Sequence, residues 1–234
     1  MISRYALVPW LLTAACAADD RPAEDREPER GGTAESRPVV LFVGTSLTAG
    51  LGVDLSEAYP ALIQQKIDAA GLDFVVHNAG VSGETSAGAL RRIDWVLRQQ
   101  PAAVLVVETG ANDGLRGLAP GALRNNLEGM IDRAARQDPP PAVVVLGMEA
   151  PPNLGQAYTS EFREVYREVA EEKGATYVPF LLAGVAGIDA LNQGDGIHPT
   201  PAGQRIMAET VWRRLEPVLR AYRPTGTATV PNPP

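Results

Sequence analysis

Three side chains of this sequence are of the types that carry out nucleophilic catalysis, and two of them stand close together. Asp195 and His198 are three residues apart in the segment Asp-Gly-Ile-His-Pro, and Ser46 follows a short apolar run in the first quarter of the chain. A turn with this offset can bring a carboxylate to one imidazole nitrogen, which leaves the other nitrogen free to accept a proton. The pattern predicts a base that activates a serine, provided that the fold brings Ser46 to His198.

Each of these signals is weak when it is taken alone. A Gly-x-Ser turn such as 44–46 is common, because serine and glycine favour turns and helix caps. It departs from the Gly-x-Ser-x-Gly pattern at Thr48, and the sequence has no Gly-Lys-Ser/Thr phosphate loop. Asp195 and His198 could instead form an ordinary surface pair, whereas His77 has no carboxylate at that spacing and is interpreted as structural.

Two further turns carry groups that could stabilise a negatively charged oxygen. Gly80 and Gly110 would let the backbone approach a ligand closely. Asn112 offers a neutral amide donor, which is a kind of group that stabilises oxyanions. Each turn could instead be an ordinary connection between a strand and a helix, and Asp113 in particular could cap the next helix.

The elements that must position these residues alternate along the chain. Short apolar runs rich in β-branched residues predict parallel strands buried on both faces, at 39–43, 74–76, 104–107, 143–146 and 176–178. Amphipathic stretches between them predict helices at roughly 57–70, 86–99, 120–137, 157–173 and 201–221. Strict alternation predicts an α/β fold with about five parallel strands between two helical layers, in which ligands bind beyond the carboxyl ends of the strands.

Composition excludes several functional classes. The formal net charge of −7 and the isoelectric point near 5.0 speak against a nucleic-acid partner, since phosphate-binding proteins are usually basic. A single cysteine, Cys16, excludes a disulfide framework or a multi-cysteine zinc site within the chain. Because there are only two histidines, we expect no metal site.

The two ends of the chain have the composition of segments outside a folded core. Residues 1–18 resemble a secretory signal, and the position of Cys16 after Thr-Ala-Ala resembles the lipobox of exported lipoproteins. Simple cleavage near Cys16 without lipid attachment is the alternative, and both interpretations predict export, to the periplasm or to a membrane-anchored form. Residues 19–37 and 223–234 predict a disordered acidic, proline-rich tether and a disordered tail, which leaves one domain at 38–222.

Taken together, four segments resemble the blocks of the SGNH hydrolases, also called the GDSL esterase family. They are Gly44-x-Ser46-Leu47, Gly80, Gly110-x-Asn112-Asp113 and Asp195-x-x-His198-Pro199. Within that family the sequence is most similar to the exported bacterial arylesterase, acyl-CoA thioesterase and lysophospholipase group, through the segments 112–117, 148–155 and 178–182. The resemblance implies a flavodoxin-like α/β/α sandwich and a serine ester hydrolase.

The resemblance also implies a role for each matching residue. Ser46 would be the nucleophile, His198 the general base and Asp195 its orienting carboxylate. The Ser46 and Gly80 backbone N–H groups and the Asn112 amide would form the oxyanion hole, and no metal or organic cofactor would be required. The family usually has Asp before the serine, whereas this sequence has Thr45, which leaves the support of the serine turn in doubt.

Substrate contacts and partners follow less directly from the sequence. Apolar residues in the expected rim segments could line an acyl groove or could be ordinary packing. The candidates for substrate contact are Leu47, Asp113, Leu115, Pro151 and Leu154, with Leu118 and Val185 as further rim residues. We expect a monomer that acts on small esters, thioesters or lysophospholipids, with a membrane contact only through a lipid on Cys16.

Three alternatives stay open at this point. Similar catalytic blocks also support deacetylation of cell-envelope carbohydrate. A non-catalytic flavin site is a second possibility, because the segment 45–48 superficially resembles a phosphate-binding loop, but it leaves Asp195 and His198 without a role. A catalytically degenerate binding protein is the third, supported only by Thr45.

Overall fold

The computed structural model describes residues 37–223. The predicted signal peptide with Cys16, the predicted tether up to residue 36 and the predicted tail from residue 224 lie outside the described residues. At the amino-terminal boundary, the Arg37 guanidinium donates a hydrogen bond to Asp73 at 2.8 Å, so Arg37 contacts the domain.

The centre of the domain is a parallel sheet of five strands. The strands are β1 (Val39–Gly44), β2 (Val75–Gly80), β3 (Val104–Glu108), β4 (Ala142–Leu146) and β5 (Thr176–Val178). Their order across the sheet is β2-β1-β3-β4-β5, so the chain winds in one direction from β1 to β2 and in the other from β3 onward. This order places a crevice at the carboxyl ends of β1 and β3, where ligands bind in doubly wound folds.

The residues that the structure describes form seven α-helices around the sheet. They are α1 (Ser46–Ala49), α2 (Tyr59–Ala69), α3 (Ser86–Gln99), α4 (Ala111–Leu115), α5 (Pro120–Ala134), α6 (Gln156–Lys173) and α7 (Pro201–Ala221). Helices α2 and α7 pack together, and α3, α5 and α6 pack in a row, which gives the predicted three-layer α/β/α sandwich. The long helices lie within three residues of their predicted bounds, whereas α1 and α4 are too short to show a periodic apolar pattern.

The central strands are more buried than β2, which lies at the edge of the sheet and differs from its prediction. The residues of β3 and those of β1 from Val40 onward are buried, as continuous apolar runs predict. The strand predicted at 74–76 instead runs from Val75 to Gly80 at the edge of the sheet and is only half-buried. The side chain of Gln64 accepts from the Val76 N–H at 2.7 Å and donates to the Phe74 carbonyl at 3.2 Å, so it covers part of this open edge.

Candidate active site

Ser46 lies in a tight turn between the central strand β1 and the short helix α1. It is the first residue of α1 and is 8% exposed. Gly44 precedes the turn, and a Cβ atom at this position would lie 2.0 Å from the Thr48 hydroxyl oxygen. The chain can therefore turn this sharply only with glycine at 44, and the turn presents Ser46 at the carboxyl end of the sheet.

A buried carboxylate supports the same turn from the neighbouring strand. Glu108, the last residue of β3, is fully buried and accepts hydrogen bonds from the Thr45 N–H at 2.7 Å and the Thr45 hydroxyl at 2.9 Å. The Thr48 hydroxyl donates to the same carboxylate at 2.8 Å. Burial raises the pKa of Glu108, and the hydrogen bonds from Thr45 and Thr48 oppose that rise. Thr45 thus supports the serine turn through Glu108.

The Asp195–His198 turn holds an imidazole beside the serine. His198 Nε2 lies 2.8 Å from Ser46 Oγ, and His198 Nδ1 lies 2.6 Å from Asp195 Oδ2. The other carboxylate oxygen of Asp195 accepts from the backbone N–H groups of Ile197 and His198, each at 3.0 Å. The hydrogen bond from His198 and these two N–H groups lower the pKa of Asp195 to about 2. Asp195 is therefore ionised at neutral pH and orients the ring.

Gln193 ties this turn to the serine side of the cleft. Its N–H donates to the His198 carbonyl at 2.7 Å, and its side-chain amide donates to the Leu51 carbonyl at 2.7 Å. Leu51 follows α1, so the base and nucleophile segments are joined directly. A bridge between Asn192 and Pro199 closes the base of the turn.

One predicted oxyanion donor faces this site and another does not. Asn112 lines the cleft with Ser46 and His198, and its side-chain amide uses one donor on the Glu84 carbonyl at 2.9 Å. The second amide hydrogen of Asn112 is free of that bond. The Gly80 N–H, in contrast, donates to the Asn78 side-chain oxygen at 2.9 Å, and Gly80 lies in a different surface groove, beside Ala49 and Asn78.

Gly83, rather than Gly80, is the glycine of this loop that lines the cleft. It lies in the loop between β2 and α3, lines the cleft with Ser46 and Asn112, and has a φ of +78°. Sequence reasoning missed Gly83 because two glycines stand three residues apart in this loop. Gly80 is glycine for packing, since a Cβ there would lie 2.3 Å from the Ala49 nitrogen.

The family comparison is in agreement with this geometry. The family model described as GDSL-like Lipase/Acylhydrolase matches residues 42–206. The chain belongs to the GDSL-like lipase/acylhydrolase family. It is therefore a hydrolase of ester bonds, and the family and enzyme class predicted from the sequence are confirmed.

Several relatives of the hydrolase are similar over most of their length. Esterase TesA of Pseudomonas aeruginosa is 43% identical over 180 residues, which are 77% of this chain and 89% of the relative. An arylesterase of Vibrio mimicus is 34% identical, covering 75% and 87%. Thioesterase 1/protease 1/lysophospholipase L1 of Escherichia coli K12 is 31% identical, covering 80% and 87%. A crystal structure of TesA matches with a TM-score of 0.74 at 42% identity, over 77% of this chain and 99% of that one.

The cleft of the hydrolase is mainly apolar apart from its reacting groups. It has a volume of about 530 Å³ and is lined by Ser46, Asn112 and His198 together with apolar side chains from the loops that follow β1, β3, β4 and β5. The apolar lining includes Leu47, Leu51, Leu115, Met148, Pro151, Phe180, Leu182 and Ile197. A larger cavity of about 770 Å³, which includes His77, lies at the amino ends of the strands, away from Ser46.

Three of the seven predicted substrate-contact and rim residues line this cleft: Leu47, Leu115 and Pro151. Leu118 and Leu154 are exposed outside the lining, and Val185 is fully buried in the core. Asp113 is buried with both oxygens bonded to Ser86, at 2.9 Å to its N–H and 2.5 Å to its hydroxyl. Asp113 therefore caps α3, the preceding helix, rather than contacting a ligand.

Within residues 37–223, no cluster of three or more His, Cys, Asp or Glu side chains is arranged to hold a metal ion. None of the helices in that range is both long and apolar enough to cross a bilayer.

Proposed function

We propose that this chain hydrolyses carboxylic esters and thioesters through a covalent acyl-enzyme on Ser46. The observation that carries the proposal is the unbroken set of contacts from Ser46 Oγ to His198 Nε2 at 2.8 Å and from His198 Nδ1 to Asp195 at 2.6 Å. These distances are within the range needed for proton transfer from the serine to the imidazole. Three groups of the right types in this order constitute a serine nucleophile, its base and the base's orienting group.

In the acylation step, Ser46 Oγ attacks the carbonyl carbon while His198 Nε2 takes its proton. Asp195, ionised because its pKa is held near 2, keeps Nδ1 protonated and stabilises the imidazolium. The tetrahedral oxyanion accepts hydrogen bonds from the N–H groups of Ser46 and Gly83 and from the Asn112 amide. The C–O or C–S bond then breaks as His198 gives the proton to the leaving group.

In the deacylation step, a water molecule replaces the leaving group. His198 takes a proton from the water as its oxygen attacks the acyl carbon, and the proton returns to Ser46 Oγ when the acid leaves. No step requires a cofactor.

The apolar lining favours an acyl chain as the group that enters the cleft. Leu115 and Ile197 are each about half-exposed at the mouth, and Met148 and Leu182 lie deeper. The printed names of the relatives, arylesterase and thioesterase/lysophospholipase, point to the same substrate classes. We therefore place small aryl and alkyl esters, acyl thioesters and lysophospholipids as candidate substrates, ahead of acetylated glycans.

The test is hydrolysis of p-nitrophenyl esters from acetate to long acyl chains, and of an acyl thioester, by residues 37–234 and by the same protein with Ser46→Ala, with acetylated glycan as a separate substrate. Turnover that Ser46→Ala abolishes would support the proposal, and the chain-length profile would rank the substrates. Release of acetate from glycan without turnover of the other esters would favour a carbohydrate esterase. Equal rates for the starting protein and Ser46→Ala would contradict the serine mechanism. No turnover of esters, thioesters or glycan would favour a binding protein.

We also propose export, with Cys16 as the lipid attachment site. The support is the order of the first segment of the sequence, where an apolar run is followed by small residues and the single cysteine. Fractionation of cells expressing the full chain and Cys16→Ser tests the anchor: an unchanged membrane fraction for the variant would contradict it.

A further inference from the structure

Glu108 is a carboxyl group that the acyl transfer does not use. It is fully enclosed, and within residues 37–223 its hydrogen-bond partners are two threonine hydroxyls and one backbone N–H. Enclosing a carboxylate costs free energy unless donors replace its lost water. A nonpolar side chain at the end of β3 would avoid that cost, so the position of the donors indicates what the carboxylate does.

All three donors belong to the residues on either side of the nucleophile. Thr45 precedes Ser46 and supplies its N–H and its hydroxyl, and Thr48 lies in the first turn after Ser46. Ser46 is thus flanked on both sides by bonds to one carboxylate on β3. The segment between the two bonds has little freedom to move without breaking one of them.

Tyr59 extends this contact to a second element. Its hydroxyl lies 2.7 Å from the Thr48 hydroxyl, which donates its own hydrogen to Glu108, so Tyr59 is the donor to Thr48. Burial, and next the charge of Glu108, raise the pKa of Tyr59, which keeps that phenol protonated. The turn is therefore held between β3 and α2.

We propose that Glu108 is a positioning residue, whose carboxylate fixes the Thr45–Thr48 turn so that Ser46 Oγ stays within reach of His198 Nε2 and the Ser46 N–H faces the cleft. The inference rests on the proposed function, because it assigns Glu108 a role in the attack by Ser46. Rates of such attacks are sensitive to displacements of about 1 Å, so a loosened turn would slow acylation without weakening substrate binding.

The decisive variant is Glu108→Gln, which keeps the shape of the side chain but turns an amide NH₂ toward donors. We expect kcat for p-nitrophenyl esters to fall about tenfold to a hundredfold with KM nearly unchanged. The rate of Ser46 labelling by a p-nitrophenyl phosphonate should fall in parallel, since it reports the attack alone. Thr109→Val is the matched control, because Thr109 is the next residue, equally buried, and its hydroxyl has no partner in the described residues.

Variants of the donors separate positioning from general stability. Thr45→Val removes one donor and should lower kcat, Thr45→Ser should restore it, and Thr45→Val should add little in the Glu108→Gln background. Should Glu108→Gln fail to fold, Thr45→Val and Thr48→Val carry the same test. Thermal melting is measured for every variant.

Two outcomes overturn the inference while the proposed function stands. One is an active Glu108→Gln with the kcat of the starting protein. The other is an equal loss of kcat in Thr109→Val, which would make the effect one of packing at the strand end. Absence of Ser46-dependent turnover in the unaltered chain would instead overturn the proposed function itself.

Discussion

The two halves of the candidate site are held in place by different kinds of contact. The serine turn depends on partners far away in sequence, since Thr45 and Glu108 are 63 residues apart. The Asp195–His198 turn depends on bonds across two or three residues, and the Asp195 side chain is 47% exposed. The serine turn therefore requires the assembled fold. The Asp195–His198 turn is held mostly by its own local bonds, and the rest of the fold only has to place it beside Ser46. Substitutions in the two halves should accordingly differ in whether they affect stability, catalysis or both.

Asp195→Asn tests whether the exposed half contributes chemistry without holding the fold. The asparagine oxygen can still accept from the Ile197 and His198 N–H groups, but its NH₂ meets His198 Nδ1 and favours the wrong tautomer. We expect kcat to fall about 10³- to 10⁴-fold with a melting temperature close to that of the unaltered chain. Steady-state kinetics and thermal melting measure both quantities, and a variant that melts much earlier would show that the turn is not self-contained.

Asn112→Ala tests the donor that both halves face. Its amide is fixed by the Glu84 carbonyl, so removing it should leave the backbone in place and delete one oxyanion contact. We expect kcat to fall about 10²- to 10³-fold with little change in KM. Asn125→Ala, at an exposed position on α5, is the control and should behave like the starting protein. A loss confined to KM would assign Asn112 to substrate binding instead.

Gly80→Ala tests the dependence of the serine turn on close packing. The added Cβ would meet the backbone of Thr48 and Ala49, with the Ala49 nitrogen at 2.3 Å. We expect a loss of about 1–3 kcal/mol in the free energy of unfolding, together with a lower kcat because α1 must shift. Gly121→Ala, in α5 with open space around the added atom, should be neutral or slightly stabilising. Denaturant unfolding of both variants measures the difference, and equal stabilities would contradict tight packing at Gly80.

The same division explains how much of the site the sequence predicts. Asp195 and His198 can be paired from spacing alone, because the contact between them is local. Continuous apolar runs, separated by amphipathic stretches, predict the parallel sheet. The strand order then brings Ser46 and Asn112 together at the carboxyl ends of the neighbouring strands β1 and β3. Glu108 ends a continuous apolar strand, and nothing nearby in the sequence indicates its partners. Its role in the serine turn therefore cannot be predicted before the pairing of β1 with β3 is known.

Glycines and acids in the connecting loops are the least predictable part of the site. Gly80 and Gly83 look alike in sequence, yet one is glycine for close packing and the other for a positive φ. From the sequence, Asp113 is predicted to contact the substrate or to cap the helix that follows it. In the structure it caps α3 instead, through the N–H of Ser86, which lies 27 residues earlier in the chain. In each case the deciding contact is between segments that only the tertiary fold brings together.

The smallest predicted effect is the response of stability to pH, and it should have opposite signs in the two halves. Asp195 has its pKa lowered from 3.8 to about 2 by His198 and two N–H groups, so its contribution to stability is present above pH 4 and is lost as pH falls toward 2. Burial raises the pKa of Glu108, so its contribution is present at low pH and is lost as pH rises through the raised value.

Melting temperatures from pH 7 to pH 2 for the unaltered chain, Asp195→Asn and Glu108→Gln measure this contrast. The margin over Asp195→Asn should shrink as pH falls from about 4 toward 2, and salt should reduce it because Asp195 is half-exposed. The margin over Glu108→Gln should instead grow as pH falls, with little salt dependence because the carboxyl is enclosed. Parallel curves for the two variants would contradict the division of the site into an enclosed half and an exposed half.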